Sequence, residues 1–203
     1  MDSTVRQKSS DVISAALTKR IVQGELKPGD KLRQDHIAKE FGASHVPVRE
    51  ALLHLVGRGL AVALPRQGVR VAPLDPDAVK ELKVMRLALE PVALRHSIPR
   101  LSETQIRRAE ELQRICDQAE DVKTWEAANR GFHLATIAAC DMPRLIGEID
   151  DLQLLSARHF LQHGADRWRR REDLEHRAIM TAVRKRDIEG AVMVLQRHIS
   201  RFG

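Results

Sequence analysis

The 203-residue chain has only two cysteines, Cys116 and Cys140, and they stand far apart with no metal-ligand spacing. That excludes a disulfide scaffold and a cysteine-based zinc module, and reads both as buried thiols in a reducing compartment. No apolar run approaches the roughly 18 residues of a membrane-spanning helix. The N-terminus MDSTVRQKSS lacks the apolar core of a signal peptide, so the expectation is a cytoplasmic protein with no membrane partner. There is no HExxH, no internal repeat and no low-complexity tract, and beyond Asp75 few glycines and no strand-like alternation. What is present is ordinary globular material, 43% hydrophobic, long enough for two small domains with cores of their own.

The charge is unevenly placed. Residues 1–72 hold twelve Lys+Arg against seven Asp+Glu, a net +5, and residues 73–203 hold 22 against 21, a net +1, together the formal +6. A basic chain by itself means little, but positive charge confined to one third is what a phosphate-contacting domain requires. Within that third, Val48, Ala51, Leu52, Leu55 and Val56 follow the i, i+3, i+4, i+7, i+8 spacing of a helix with one buried face. The opposite face carries His45, Arg49, Leu53 and Arg58. Gly42 suits a short turn before this helix, Ser44 an N-cap, and Pro47 the first helical turn, where its missing N–H costs nothing.

The flanks complete a pattern. An earlier helix is expected on Val12, Ile13, Ala16, Leu17 and Ile21, closed by Gly24, followed by a Pro28-Gly29 turn and a positioning helix over Gln34–Phe41. After the second helix, Leu60–Leu64 and Val69–Ala72 flank Pro65-Arg66-Gln67-Gly68 as a hairpin, or wing. The order is that of a winged helix-turn-helix over residues 1–74, expected to act as a homodimer on a pseudo-palindromic stretch of double-stranded DNA. The runs PGDKL, FGASHVPVREALLHLVGRGLAV and PRQGVRV resemble the DNA-binding domain of GntR-type bacterial transcription regulators over about residues 10–72. The resemblance implies DNA contacts from Arg33, Ser44, His45, Val46, Arg49, Arg66, Gln67 and Gly68. His45-Val46 stands where the family usually has Arg-Thr, and histidine cannot make the bidentate fork of arginine to guanine, so the operator sequence does not carry over.

Residues 75–203 read as helix only, beginning at Pro73-Leu74-Asp75-Pro76. Six helices are expected, roughly Pro76–His96, Ser102–Ala119, Val122–Ala139, Pro143–His163, Arg167–Arg186 and Asp187–Phe202, with Ser102, Thr124 and Asp187 as caps, packed as an antiparallel bundle. The Arg169-Arg170-Arg171 run reads as a solvated helix start. Three histidines fall on inward faces. His198 lies in the stripe Ile188, Ala191, Leu195, Phe202; His176 lies below Ile179, Met180 and Val183; Asn129 and His133 lie one turn apart among Trp125, Phe132 and Thr136. A single such histidine reads as a hydrogen-bonded core residue, but three imidazoles and an amide oxygen facing inward can converge on one metal.

AANRGFHLATI and LEHRAIMTAVRKRDIEGAVMVLQRHI resemble the FCD effector-binding domain of the FadR-like branch of the same family, in its shorter, VanR-like six-helix form. The resemblance implies a divalent metal on Asn129, His133, His176 and His198, zinc first and nickel as the alternative. It also implies a small organic acid bound through the ion. On the first bundle helix Arg86 interrupts the stripe Val79, Leu82, Leu89, Ala93. It reads either as an ion pair with Glu90 or as a bidentate clamp on the acid's carboxylate, and the family's R-x-x-L-E-like pattern favours the clamp. Arg158 and His159 are weaker candidates.

Two functions of different class follow. One is a transcription regulator whose operator affinity responds to the acid. The other is a metal-assisted hydrolase on the three-histidine site, against which stand the missing HExxH, the DNA reader in front, and Glu175, expected to point off the ligand face. A constitutive DNA binder whose bundle only dimerises is a third reading. Effector identity, regulated genes and sign of control are not legible in one sequence.

Overall fold

The computed structural model describes residues 3–75 and 77–201, and side chains from residue 9 onward. Pro76 and Phe202, placed above at the domain boundary and on the last apolar stripe, lie outside the described residues. The chain divides into two compact units, Met1–Asp75 and Pro76–Gly203.

In the first unit α1 spans Ser3–Val22, α2 Gln34–Phe41 and α3 His45–Gly57, followed by the strands β1 (Ala61–Leu64) and β2 (Gly68–Val71). Both α1 and α2 pack on α3, which also rests on β1. The α1 face that does this carries Ile13, Leu17 and Ile21, all nearly inaccessible, whereas Val12 is 62% exposed and Ala16 half-buried. The inward stripe is therefore narrower than expected, since a single neighbour covers only the i, i+4 row. Gly42, at φ 59°, turns the chain between α2 and α3 and donates to the Ala38 and Lys39 carbonyls. From α3, Val48, Ala51, Leu52 and Leu55 enter the core.

The strands pair antiparallel, Ala61 with Val71 through Leu64 with Gly68, leaving Pro65-Arg66-Gln67 as a three-residue tip. Arg66 takes the left-handed φ of 62° that such loops require. The segment before α2 extends the sheet: the Leu32 N–H bonds the Val69 carbonyl and the Val71 N–H the Asp30 carbonyl, both at 2.9 Å.

The second unit is six helices: α4 (Ala78–Ser97), α5 (Glu103–Gln118), α6 (Val122–Ile137), α7 (Pro143–His163), α8 (Leu174–Arg184) and α9 (Ile188–Ser200). The hairpins α5–α6 and α8–α9 pack internally, and α4 lies against α6, α7 and α9. Ile98, Phe132, Ile149, Val183, Ala191 and Ile199 are all fully enclosed in the shared core. Ser102 caps α5 in a capping box with Gln105, and Asp187 caps α9 through the Gly190 N–H.

Two expectations are corrected. Thr124 is not the cap of α6. Asp121 is, since its carboxylate accepts from both the Lys123 and Thr124 N–H groups while the Thr124 hydroxyl donates to it. The fifth helix starts at Leu174 rather than Arg167: residues 165–167 form one 3₁₀ turn, Trp168 is extended, and Asp173 caps α8. Three successive arginines would oppose the positive end of a helix dipole, while Asp173 and Glu175 complement it.

Candidate metal and ligand site and the DNA-reading surface

In the first unit Ser44, His45, Val46 and Arg49 are exposed on the opening of α3. Ser44 occupies the cap position with extended backbone, but its hydroxyl makes no capping bond. His45 Nδ1 stands 3.7 Å from an Asp35 carboxylate oxygen across the α2–α3 turn. Arg33 is exposed just before α2, and Arg66, Gln67 and Gly68 are exposed at the wing.

In the second unit the three histidines meet, although each comes from a different helix. His133 (α6), His176 (α8) and His198 (α9) bring one ring nitrogen each within 4.8 Å of one another. Ring centroids are 5.4 Å apart for His133–His176, 5.1 Å for His133–His198 and 4.7 Å for His176–His198. Phe132 stacks on His176 at 4.1 Å and fixes its ring. Asn129 Oδ1, His133 Nε2 and both nitrogens of His176 are buried with no hydrogen-bond partner. An Asp173 carboxylate oxygen 3.7 Å from His176 Nε2 is too far to bond it. Buried polar atoms are ordinarily satisfied, so Asn129 Oδ1, His133 Nε2 and one His176 nitrogen are spare donor atoms of the kind a divalent ion takes.

Carboxylates back the imidazoles. His133 Nδ1 lies 3.3 Å from Glu90 Oε2, whose other oxygen accepts from Arg86 Nε at 2.6 Å. His198 Nδ1 lies 3.2 Å from Glu175 Oε2, and Arg197 and Arg201 hold the other Glu175 oxygen at 2.9 Å. Glu175 thus faces the histidines, contrary to the expectation that it points away. A carboxylate on Nδ1 fixes the tautomer and leaves Nε2 to ligate. Neither carboxylate role was visible in sequence: Glu90 reads only as a partner for Arg86, and Glu175 as pointing off the ligand face.

Burial sets the protonation states. It pushes His176 well below the ordinary imidazole value, with His198 and His133 adding to the effect. It also takes His198 down to about 4, with His133 contributing and Asp173 and Glu175 opposing. Burial raises the Glu90 carboxyl, but Arg86 and His133 outweigh it and bring it to about 2. At neutral pH His176 and His198 are therefore neutral, the ligating form, and Glu90 is ionised.

Beside the cluster opens a cavity of about 460 Å³ lined by Arg86, Asn129, His133 and His198, by Trp125, Phe160, Leu174 and Ile199, and by the charged Glu172, Asp173, Glu175 and Arg201. His176 lies behind it, fully enclosed. Arg86 pairs with Glu90 and also lines the cavity. Arg158 and His159 are buried on α7 and are not among the lining residues. Arg171, exposed in the segment before α8, does line it.

A winged helix-turn-helix joined to an all-helical domain is the architecture of a DNA-binding regulator. The profile of the bacterial regulatory proteins of the gntR family matches residues 9–71, and that of the FCD domain residues 81–201. The uncharacterized HTH-type regulator BphR of Paraburkholderia xenovorans is 30% identical over 195 residues, 88% of this chain and 77% of that protein. The HTH-type regulator McbR of Escherichia coli is 30% identical over 173 residues, 82% of this chain and 78% of that one. The solved structure of E. coli McbR/YncC superposes with a TM-score of 0.80 at 25% identity, covering 98% of this chain and 97% of that one. The chain belongs to the GntR family of transcriptional regulators and carries its FCD domain. Its family and relatives are transcriptional regulators, not enzymes, which removes the hydrolase reading.

Proposed function

We propose that this regulator binds a pseudo-palindromic operator as a homodimer in the cytoplasm. Its operator affinity responds to a small carboxylate that binds at a divalent metal held by Asn129, His133, His176 and His198. The observation carrying this reading is the convergence of three imidazoles from three helices, with Asn129 Oδ1, His133 Nε2 and the His176 ring left without hydrogen-bond partners. The ion, zinc by preference for three imidazoles and nickel otherwise, supplies a positive centre for the acid's carboxylate. Arg86, oriented by Glu90, donates to the same carboxylate from the cavity wall.

DNA recognition is assigned to Arg33, Ser44, His45, Val46, Arg49 and the wing residues Arg66, Gln67 and Gly68, all exposed on the basic unit. No described helix is long and apolar enough to cross a membrane.

The deciding experiment is metal analysis of protein purified without chelator, paired with thermal shifts on adding a carboxylic acid. Wild type should carry one metal per chain and be stabilised by the acid; His198→Ala should lose both, and Arg86→Ala should keep the metal but bind the acid more weakly. A metal-free wild type that takes up neither zinc nor nickel would leave three core histidines and end the proposal.

A further inference from the structure

The chain is poor in aromatic residues, with two tryptophans, four phenylalanines and no tyrosine. Half of these six gather at one place. Trp125 meets Phe160 at 5.3 Å between ring centroids, tilted by 54°, and Trp168 at 6.4 Å, tilted by 48°. Trp125 and Phe160 line the cavity, and all three rings are only partly buried.

Their position relative to the polar end is set by α6. Trp125, Asn129 and His133 stand four residues apart on one face, so the aromatic wall begins one helical turn, ~5–6 Å between Cβ atoms, from the candidate ligands. Leu174 and Ile199 add apolar surface to the lining, Leu174 being 70% exposed. Hydroxyl groups would be met by the charged lining residues Arg171, Glu172, Asp173, Glu175 and Arg201, which offer no flat apolar surface. A flat apolar group would instead be received by tilted aromatic faces, the arrangement that ring–ring contact favours.

We infer that the acid taken by this cavity is an aromatic carboxylate. Its carboxylate sits at the imidazole end and its ring against Trp125 and Phe160. This rests on the carboxylate-at-metal reading above and names the chemical class that reading leaves open.

The test uses the full-length, zinc-loaded protein and four probes: acetate, cyclohexanecarboxylate, benzoate and benzyl alcohol. Affinities come from calorimetry, with tryptophan emission as the second readout, since both tryptophans belong to the cluster. Benzoate should bind at least tenfold tighter than acetate, severalfold tighter than cyclohexanecarboxylate, and alter the emission. Trp125→Leu should lower benzoate affinity about tenfold while acetate affinity and metal content stay unchanged. Phe160→Leu should act in the same direction, which covers the case in which one variant folds poorly.

Equal affinity for benzoate, acetate and cyclohexanecarboxylate refutes the ring subsite and leaves the carboxylate reading standing. A preference that survives both leucine variants refutes it as well. Saturable emission change with benzyl alcohol but no acetate binding supports the ring subsite and overturns the carboxylate anchor. No response to any of the four probes overturns both.

Discussion

Glu126 is the group whose replacement should change stability most informatively. It sits on α6 at 7% exposure, and among the described residues no hydrogen bond or ion pair holds its carboxyl. Burial raises it from the ordinary 4.5 to about 7, with Arg130 and Arg86 opposing. Between those values the folded protein keeps a proton that the unfolded chain has released. Stability therefore falls as pH rises from about 4.5 and levels off above about 7. A gap of about 2.5 units at 1.36 kcal/mol each gives a full cost of about 3 kcal/mol.

Glu126→Gln keeps the shape and removes the charge. It should be nearly as stable as wild type at pH 5 and about 3 kcal/mol more stable at pH 8, read as the difference between paired urea titrations at each pH. Chelator in every sample keeps bound metal out of the comparison. Comparing the two proteins at one pH cancels every other titrating group. A difference that stays flat within about 0.5 kcal/mol from pH 5 to 8.5 would show that water reaches the carboxylate and that its burial has no energetic consequence.

Three further substitutions test other parts of the molecule. Gly190→Ala places a Cβ 2.2 Å from Asp187 Oδ2, so it should expel the α9 cap and cost about 1 kcal/mol in thermal unfolding. Adding Asp187→Ala should then cost nothing more, whereas additive losses would mean that the clash is relieved elsewhere. Arg49→Ala should weaken operator binding, uniformly across sequences if Arg49 meets phosphate and at one position if it reads a base; binding-site selection separates these, and unchanged affinity removes Arg49 from the interface. His45→Arg should shift preference at one base pair per half-site by about 1–3 kcal/mol in the same selection, and an unchanged motif would show that position 45 does not face the groove.

Much of this was legible because helical periodicity marks which residues face inward. Val48, Ala51, Leu52 and Leu55 lie on the predicted face of α3, and His133 and His176 are as deeply enclosed as their stripes suggest. What periodicity cannot supply is the neighbour. Val12 belongs to the α1 pattern but is exposed, since α3 covers only one row of that helix. Cap choice is a local competition in which an ionised carboxylate that takes two N–H groups wins over a hydroxyl; hence Asp121 rather than Thr124, and Asp173 rather than a start among the arginines. The part Glu90 plays at the histidines was not legible for a related reason: Glu90 stands one turn from Arg86, and only the fold turns its second oxygen toward His133. Trp125 and Phe160 are 35 positions apart, so only the α6–α7 packing brings them to one wall.

The same geometry suggests how a ligand would be felt. Residues 171–175 line the cavity, and within them Asp173 caps α8 while Glu175 holds His198 on α9. A molecule in the cavity therefore touches the start of one helix and, through a single carboxylate, the end of the next. Changing operator affinity tenfold requires only about 1.4 kcal/mol of differential binding between two states. That is the size of one helix cap gained or lost. Large rearrangement of the core is unnecessary, and the enclosed Phe132, Ile179 and Val183 make it costly. The cheapest element to move is the irregular stretch 168–173, where Trp168 rests on Trp125 and Asp173 on the first turn of α8. An acid that displaces or steadies Trp125 would thus act on that stretch directly, through the contact of Trp125 with Trp168.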